Sequence, residues 1–140
     1  MYAVAAGANV ISSGQFDAYS MNYLLDHNGA AHHAWISKDN VIGRFIQVSQ
    51  ENPRLWTAIV TQGRGDYDQW VTTLKVFYTN NGKTWEQVDG GKIFNANTDR
   101  NSKVIIRFGL PVYARALRIY PQTWNGHMCM RFDAIYSDLQ

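Results

Sequence analysis

The sequence holds a single cysteine, Cys129, among its 140 residues. One cysteine excludes an internal disulfide and any zinc site built from several cysteines, so packing alone has to hold the fold. No apolar run approaches the roughly 20 residues that a membrane-spanning helix needs. The apolar start of the chain lacks a basic segment, which makes it a poor signal peptide. These absences are compatible with a cytoplasmic protein or with one that reaches the cell surface by unconventional secretion.

The chain also lacks any block of basic residues. Its formal net charge is +2, and the lysines and arginines are scattered. A nucleic-acid surface concentrates its cations, so no nucleic-acid partner is expected. Neither a G-x-S-x-G nucleophile motif nor a glycine-rich phosphate loop is present. With 46% apolar and 17% charged residues, the chain has the composition of one globular domain over residues 1–140.

Long stretches with helical periodicity are missing as well. Short runs rich in Val, Ile, Tyr, Phe and Thr, bounded by Gly, Asn and Pro, predict β-strands instead. These runs cover residues 44–48, 55–61, 71–79, 83–88, 103–108, 112–120 and 128–136. We expect a tight Asn81-Gly82 hairpin turn with Trp85 inward, and we expect Pro111 and Pro121 to interrupt pairing. The pattern indicates an antiparallel β-sandwich or barrel.

Aromatic residues make up 14% of the chain, including five Trp and eight Tyr. Numbers this high suit a surface that binds something as well as a core. The longest polar segments are 14–40, 64–69, 95–102 and 122–127. Since the loops of a sandwich gather at its two ends, these segments are the candidate binding regions.

The segment 63–70 combines one arginine and two aspartates, Arg64, Asp66 and Asp68. One interpretation is a solvated turn, in which Gly and Asp are common. An equally favoured one is a ligand clamp, because arginine donates and aspartate accepts hydrogen bonds to neighbouring sugar hydroxyls. A catalytic acid and base pair is a distant third. Residues 64–66 also spell Arg-Gly-Asp, the tripeptide that cell-adhesion receptors such as integrins read, which is weak evidence alone.

Apolar residues in the first long loop have two interpretations. They either pack inward, which is the more common arrangement, or protrude, and protruding residues would enter a bilayer or stack on a ligand. The residues are Phe16, Tyr19, Met21, Tyr23, Leu24 and Leu25. The same alternatives hold for the segment of Trp124 and Asn125. Trp124 either closes the sandwich or offers a flat face to a sugar ring.

The histidines and the oxygen-bearing side chains give little indication of a metal-binding site. His32 and His33 are adjacent and make a poor pair of metal ligands, so we expect one at the surface and one against Trp35. A hydrogen bond from His33 to a sugar is the alternative. Asp26 and Asn28 belong to a segment, 26–29, that resembles part of a calcium loop. It is interpreted as a turn, with a structural Ca²⁺ as the alternative, and no cofactor is required.

Several motifs in register resemble the discoidin domain, also called the coagulation factor V/VIII C-type domain. They are TQGRGDYDQWVTTLKVFYTNNGKTW, NTDRNSKVIIRF, PVYARALRIYP and TWNGHMCMRF. The order of the segments matches the family over about residues 44–136. The chain is most similar to the N-terminal domain of the slime-mould discoidin lectins, which carry a similar Gly-Arg-Gly-Asp-x-Asp-Gln-Trp run.

The resemblance implies an eight-stranded antiparallel jelly-roll-like sandwich, the galactose-binding-like fold, and a non-catalytic binding module. Family members bind galactose-type sugars, phospholipid head groups or proteins through loops at one end. Arg64 matches an arginine that lines this end in several relatives. The chain departs from many members in having no disulfide between its ends.

From the resemblance and the residues together, we expect binding of galactose or N-acetylgalactosamine glycans. Arg64 would donate to the ligand, Asp66 and Asp68 would accept, and Tyr19, Tyr23 or Trp124 would stack. Phospholipid binding through the first loop and receptor binding through residues 64–66 are the alternatives.

Overall fold

The computed structural model describes residues 1–28 and 32–137. Gly29 of the calcium-like segment and the last three residues of the predicted domain lie outside the described part. The described strands are β1 (Asn9–Ser12), β2 (Trp35–Ile36), β3 (Ile46–Gln62), β4 (Trp70–Thr79), β5 (Glu86–Gln87), β6 (Phe94–Asn95), β7 (Val104–Asn125) and β8 (Cys129–Ser137). A single 3₁₀ turn, Val88–Gly91, is the one helical element in these residues, and no described helix has the length and apolarity to cross a membrane.

The eight strands pair in the order β2-β8-β3-β7-β4-β5, with β1 on β3 and β6 on β4. Every one of these pairings is antiparallel. This confirms the predicted all-β, eight-stranded antiparallel jelly-roll-like sandwich of the galactose-binding-like class.

Two long strands, β3 and β7, connect the layers. Their pairing shifts register between Ser49 and Arg54 and again between Trp56 and Ala58. On one side of the shifts β3 pairs with β1, and on the other side it pairs with β8. Irregularities of this kind bend a strand, so one strand serves both faces of a sandwich.

The core between these layers is apolar and almost closed to solvent. It takes inward side chains from β3, β4, β7 and β8, where residues two apart share a face. The largest fully buried side chains include Trp35, Trp56, Phe132, Leu74 and Ile119.

The N-terminal segment closes the molecule against the last strand. The Asp133 carboxylate, which is 2% exposed, accepts hydrogen bonds from the backbone N–H groups of Val4 and Ala5 at 2.7 and 3.0 Å. The terminal amine of Met1 donates to the carbonyl of Tyr136 at 2.7 Å. Both ends of the described chain therefore meet at one place without a disulfide.

The predicted strands exist, but several of their limits are wrong. The runs 44–48 and 55–61 belong to one strand, and so do 103–108 and 112–120. Pro111 does lie at a break in pairing between β3 and β7. Pro121 does not end its strand, because it pairs with Leu74 and β7 continues to Asn125.

The Asn81-Gly82 turn is longer than the two-residue hairpin that the motif predicts. The nearest pair across it is Tyr78 with Glu86. The Asn81 side chain folds back and accepts from the backbone N–H groups of Lys83 and Thr84 at 2.8 and 2.9 Å, which stabilises a wider loop. Trp85 is half-exposed on the outer face, so the inward prediction is wrong.

Candidate functional site

Four loop segments meet at one end of the sandwich, and we call this region the loop end. The first segment covers residues 13–28 and 32–34. The second covers 63–69, the third 96–103 and the fourth 126–128. Strand pairing brings the second and fourth segments together, since Trp70 lies opposite Asn125. An ion pair between Arg100 and Asp68 joins the third to the second.

Arg64 is buried, and its guanidinium braces the loop that carries it. Its Nε donates to Asp66 Oδ1 at 2.6 Å, and Nη2 donates to Asp66 Oδ2 at 3.3 Å. Nη1 donates to Gln69 Oε1 at 2.8 Å, and the Tyr67 ring centroid lies 4.5 Å from the guanidinium carbon. Because an arginine has five N–H donors, most of them are occupied inside the protein.

Asp66 forms the acidic edge of the same loop, with 29% of its side chain accessible. Burial alone would raise the pKa of this carboxyl, but the hydrogen bonds and charge of Arg64 outweigh burial. The pKa of Asp66 therefore lies below its ordinary value. The backbone N–H of His33 donates to the same carboxylate at 3.4 Å. Asp66 is held as an anionic acceptor at the surface.

His32 connects Arg64 to the first loop. Arg64 Nη2 lies 3.1 Å from His32 Nδ1, and His32 Nε2 lies 3.0 Å from Asp17 Oδ2. Since a guanidinium only donates, Nδ1 accepts and the ring proton lies on Nε2, which donates to Asp17. A relay of Asp17, His32, Arg64 and Asp66 therefore ties two loops together through side chains.

Gly65 allows the two loops to approach closely. Its backbone N–H donates to the carbonyl of His33 at 3.1 Å. A Cβ atom at position 65 would lie 3.0 Å from both Cβ and Nδ1 of His33. This distance is shorter than normal carbon contacts, so a glycine is needed at this point for the first loop to dock.

Three large aromatic side chains stand exposed around this relay. Phe16, Tyr19 and Tyr67 are 62%, 66% and 58% exposed. The ring of Phe16 packs edge-on against His32, with centroids 6.4 Å apart, and Tyr67 lies over Arg64. Exposed rings beside charged groups can stack on an apolar face while neighbouring atoms form hydrogen bonds.

Two of the predicted stacking residues pack inward instead. Tyr23 and Trp124 are half-buried against the core, and the Tyr23 ring lies 6.0 Å from Phe132. Asn125 is exposed, and its amide donates to the carbonyl of Asp68 at 2.8 Å. Tyr19 alone among the three predicted stacking residues offers an open ring.

Asp66 and Asp68 do not form the carboxylate pair that a catalytic interpretation requires. Asp68 accepts from Arg100 Nε at 2.8 Å and keeps 75% of its side chain accessible. Asp66 is bound to Arg64. Each carboxylate therefore has its own arginine, an arrangement that gives the acid and base interpretation no support.

His33 lines a polar cleft of about 280 Å³ between the first loop and the segment 63–69. Its ring meets His27 edge-on at 6.1 Å, so the prediction that a histidine packs against Trp35 is not confirmed by any contact in the described residues. The cleft is lined by Asp26, His27, Asn28, His33, Gly65, Asn101 and Arg131.

Asp26 and Asn28, the predicted calcium ligands, lie beside each other at this cleft. The carboxylate of Asp26 forms an ion pair with Lys103 at 2.6 Å, and it accepts from Gln62 Nε2 at 3.2 Å. The hydrogen bond from Lys103 is the largest cause that lowers the pKa of Asp26. Among residues 1–28 and 32–137, no cluster of three acidic, histidine or cysteine ligands occurs. A calcium ion at this position stays a prediction.

The Arg-Gly-Asp tripeptide is not displayed as an adhesion motif. Arg64 is 7% exposed and its guanidinium binds Asp66, so the two charged residues face each other. A receptor that reads this motif needs both charges free to pair with its own groups. The geometry of the tripeptide therefore favours an internal role.

Both interpretations of the first loop hold in part, because some of its apolar residues pack inward and others are exposed. Met21 and Tyr23 pack against the core, and Leu25 is half-buried. Leu24 is 44% exposed, and the open apolar residues of this loop also include Phe16 and Tyr19.

Gln69 was missed by reasoning from the sequence, which also did not foresee that His32 contacts Arg64 or that Phe16 packs on His32. Their roles depend on loops that meet only after folding, so no local pattern marks them. Cys129 is buried behind Gln69, and burial raises the pKa of its thiol to about 12. A buried thiol with a raised pKa is a poor nucleophile.

Comparisons with known proteins support this architecture. A family model described as the F5/8 type C domain matches residues 8–133. Discoidin-2 of Dictyostelium discoideum is 43% identical over 100 residues, which are 71% of this chain and 39% of the relative. The chain thus spans about two fifths of the length of the curated discoidins that it matches.

Solved structures show the same fold. Recombinant discoidin II of Dictyostelium discoideum superposes with a TM-score of 0.95 at 34% identity, over 100% of this chain and 60% of that chain. A family 32 CBM from NanJ of C. perfringens, solved in complex with galactose, has a TM-score of 0.74 at 14% identity, over 97% of this chain and 98% of that chain.

The fold and the loop end define a β-sandwich of the binding-module class, with polar and aromatic side chains gathered on loops at one end. Within that class, the chain belongs to the F5/8 type C, or discoidin, domain family.

Proposed function

We propose that this domain binds carbohydrate at the loop end without catalysing a reaction. Galactose and N-acetylgalactosamine glycans are the expected ligands, and recognition or adhesion is the expected role. The observation that carries the proposal is the set of three exposed aromatic rings around the relay of Arg64 and Asp66. A pyranose has an apolar face and a polar edge, and this arrangement can contact both.

The proposed roles follow the geometry of the loop end. Tyr19 and Tyr67 stack on the sugar, because both rings are open to solvent. Asp66 accepts from sugar hydroxyls, with His33 and Asp68 as further polar groups at the rim. Arg64 mainly positions Asp66 and Tyr67, because most of its donors have internal partners.

The fold of the relatives supports the same class of ligand. The family 32 CBM with this fold was solved with galactose bound. A chitosan-binding module with a TM-score of 0.66 at 16% identity was solved in complex with chitotriose. Sugar binding by domains of this shape is therefore physically feasible, and the loop-end residues decide which sugar fits.

A glycan array followed by calorimetry tests the proposal. The Tyr67→Ala variant should bind galactosides at least about tenfold more weakly, since it loses a stacking surface. Tyr113→Ala is the matched control, because Tyr113 is 61% exposed and lies on a different strand, away from the loop end. Repeating the titration with EDTA tests whether Ca²⁺ contributes. A folded protein that binds no glycan would refute the proposal.

Phospholipid binding is the second candidate ligand class. Phe16, Tyr19 and Leu24 are exposed on one loop, and Tyr67 lies beside them at the same end. Apolar side chains at a loop tip can enter the interfacial region of a bilayer. Sedimentation with phosphatidylserine vesicles tests this: Phe16→Ser should reduce binding to vesicles while a galactoside still binds.

A further inference from the structure

A second candidate site lies on the outer face of the sheet, away from the loop end. Strand pairing places Ile11 opposite Gln47, Gln47 opposite Arg118, and Arg118 opposite Phe77. Residues that are opposite each other in a ladder point to the same face. The neighbouring row, which contains Ile119, is buried in the core. The row with Arg118 therefore faces outward across four strands.

Arg118 sits at the centre of this face between two aromatic rings. Its guanidinium carbon lies 4.0 Å from the ring centroids of both Trp85 and Phe45. Its Nε donates to Gln47 Oε1 at 2.7 Å, and Nη1 donates to the Tyr120 hydroxyl at 3.3 Å. In the described part of the chain, Nη2 has no partner. The guanidinium is thus held rigidly, with three N–H donors left for another molecule, two on Nη2 and one on Nη1.

The loop between β4 and β5 forms one wall of a cleft over this face. Thr79 Oγ1 accepts from the backbone N–H of Gly82 at 3.0 Å and donates to the carbonyl of Thr84 at 2.7 Å. These bonds fix the loop and hence the position of Trp85, which follows it. The cleft measures about 310 Å³. Its lining includes Gln47, Ser49, Asn80, Asn81, Trp85 and Arg115.

Positive charge dominates the surroundings of this cleft. Arg115 is exposed at its edge, and within the described residues it makes no hydrogen bond or ion pair. Lys83 is exposed on the adjacent loop. Glu86, on β5, accepts a hydrogen bond from the Tyr78 hydroxyl at 2.8 Å. The surroundings of the cleft therefore hold three positive charges, two guanidiniums and one ammonium, and one nearby carboxylate.

We propose that this cleft binds an anionic saccharide, one that carries a carboxylate or a sulfate group. Trp85 supplies a flat aromatic surface for a sugar ring, and the amide of Asn80 supplies a polar contact at the wall. Arg115 and Nη2 of Arg118 supply the charge-assisted hydrogen bonds that an acidic group needs. An acidic saccharide carries a flat ring face and an anionic group on the same unit, which matches a ring beside two arginines, so the combination favours a saccharide.

The two sites are independent in position and in residues. Trp70, at the start of β4, belongs to the loop end, whereas Thr79, at its other end, borders the cleft. Ten residues of strand span about 30 Å. One chain would then hold a neutral sugar at one end and an acidic one on its face.

The test follows the indole N–H signal of Trp85 by NMR during titration with acidic saccharides. A heparin-derived tetrasaccharide carries sulfates, a hyaluronan tetrasaccharide carries carboxylates, and galactose is the neutral control. We expect a shift of the Trp85 signal, assigned with Trp85→Phe, for at least one acidic saccharide and none for galactose. Higher salt should weaken the interaction.

Arginine variants distinguish a site from general charge attraction. Arg115→Ala should weaken the affinity about fivefold or more, because one charge-assisted contact is lost. Arg107→Ala removes an equally exposed charge from the same strand, outside the cleft, and should leave the affinity unchanged. Tyr67→Ala should also leave it unchanged, which separates this site from the loop end.

Three outcomes would overturn the proposal. The Trp85 signal stays fixed with both acidic saccharides, or Arg107→Ala weakens binding as much as Arg115→Ala does. The third is a shift of Trp85 by a polyglutamate peptide or by anionic vesicles that is at least as large as the shift by either saccharide, because the ligand class would then be wrong.

Discussion

Arg64 shows how the surroundings of a side chain decide what it can do. The sequence places it in a polar loop, where an arginine is free to donate to a ligand. In the structure it binds Asp66, Gln69 and His32, and 9% of its side chain stays accessible. The residue type is the one predicted, but its role becomes that of a brace, because contacts between distant loops take up its donors.

At the scale of single residues, we predict that Arg64→Ala lowers the free energy of unfolding by about 2–4 kcal/mol. Its loss leaves a cavity at a buried position and removes hydrogen bonds from its half-buried partners Asp66, Gln69 and His32. Arg100→Ala is the matched control: Arg100 is ion-paired to Asp68 but 41% accessible, so its loss should cost about 1 kcal/mol or less. Urea denaturation measures both. Equal losses of stability in the two variants would contradict the role of Arg64 as a brace.

Strands are the elements that local sequence patterns specify well. The alternation of residues 71–79 and 128–136 predicts β4 and β8 almost to their limits, since Leu74 and Val76, or Met130 and Phe132, must share a buried face. Alternation does not show where a strand bends. The register shifts that join two predicted runs into β3 depend on partners far along the chain.

The loop end was predicted in outline but not in detail. The motif at 63–69 marks the position of Arg64 and Asp66, because polar residues and glycine cluster there. His32 contacts Arg64 across 32 residues of sequence, and Phe16 packs on His32. No local periodicity in the sequence predicts that these loops meet. Contacts between irregular segments that lie far apart in the sequence leave no periodic pattern, so they are the hardest to predict from one sequence.

The N-terminal segment is an element that depends on one side chain. We predict that Asp133→Ala lowers the free energy of unfolding by about 2–3 kcal/mol, because the backbone N–H groups of Val4 and Ala5 lose their buried acceptor. Hydrogen exchange should show faster exchange of these two amides. Asp99→Ala, at an exposed turn, should leave them protected. Unchanged exchange in Asp133→Ala would contradict this view of the segment.

Acid stability is a property of the whole molecule. Among residues 1–28 and 32–137, five carboxyls have a pKa below the ordinary value of 3.8: Asp17, Asp26, Asp39, Asp66 and Asp99. A carboxyl with a lowered pKa in the folded state stabilises the fold above its ordinary pKa and ceases to do so as the pH falls. We therefore predict constant stability from about pH 7 to 5 and a progressive loss below about pH 4.

Denaturation curves at several pH values test this dependence. Asp66→Asn should be less stable than the parent chain near neutral pH, because the charge that binds Arg64 is gone, and should lose less stability on acidification. A parent chain that gains stability below pH 4 would show that the sign of the effect is wrong.

The position of β8 has a consequence for how the chain is made. This strand lies between β2 and β3, and Leu55 pairs with Ser137 across more than 80 residues of sequence. During synthesis, β3 therefore keeps one edge open until β8 has left the ribosome. Contacts that are so distant in sequence make folding slow, and an open edge invites pairing with other chains. We expect the nascent domain to need chaperone protection up to its last strand, and to close in a single late step.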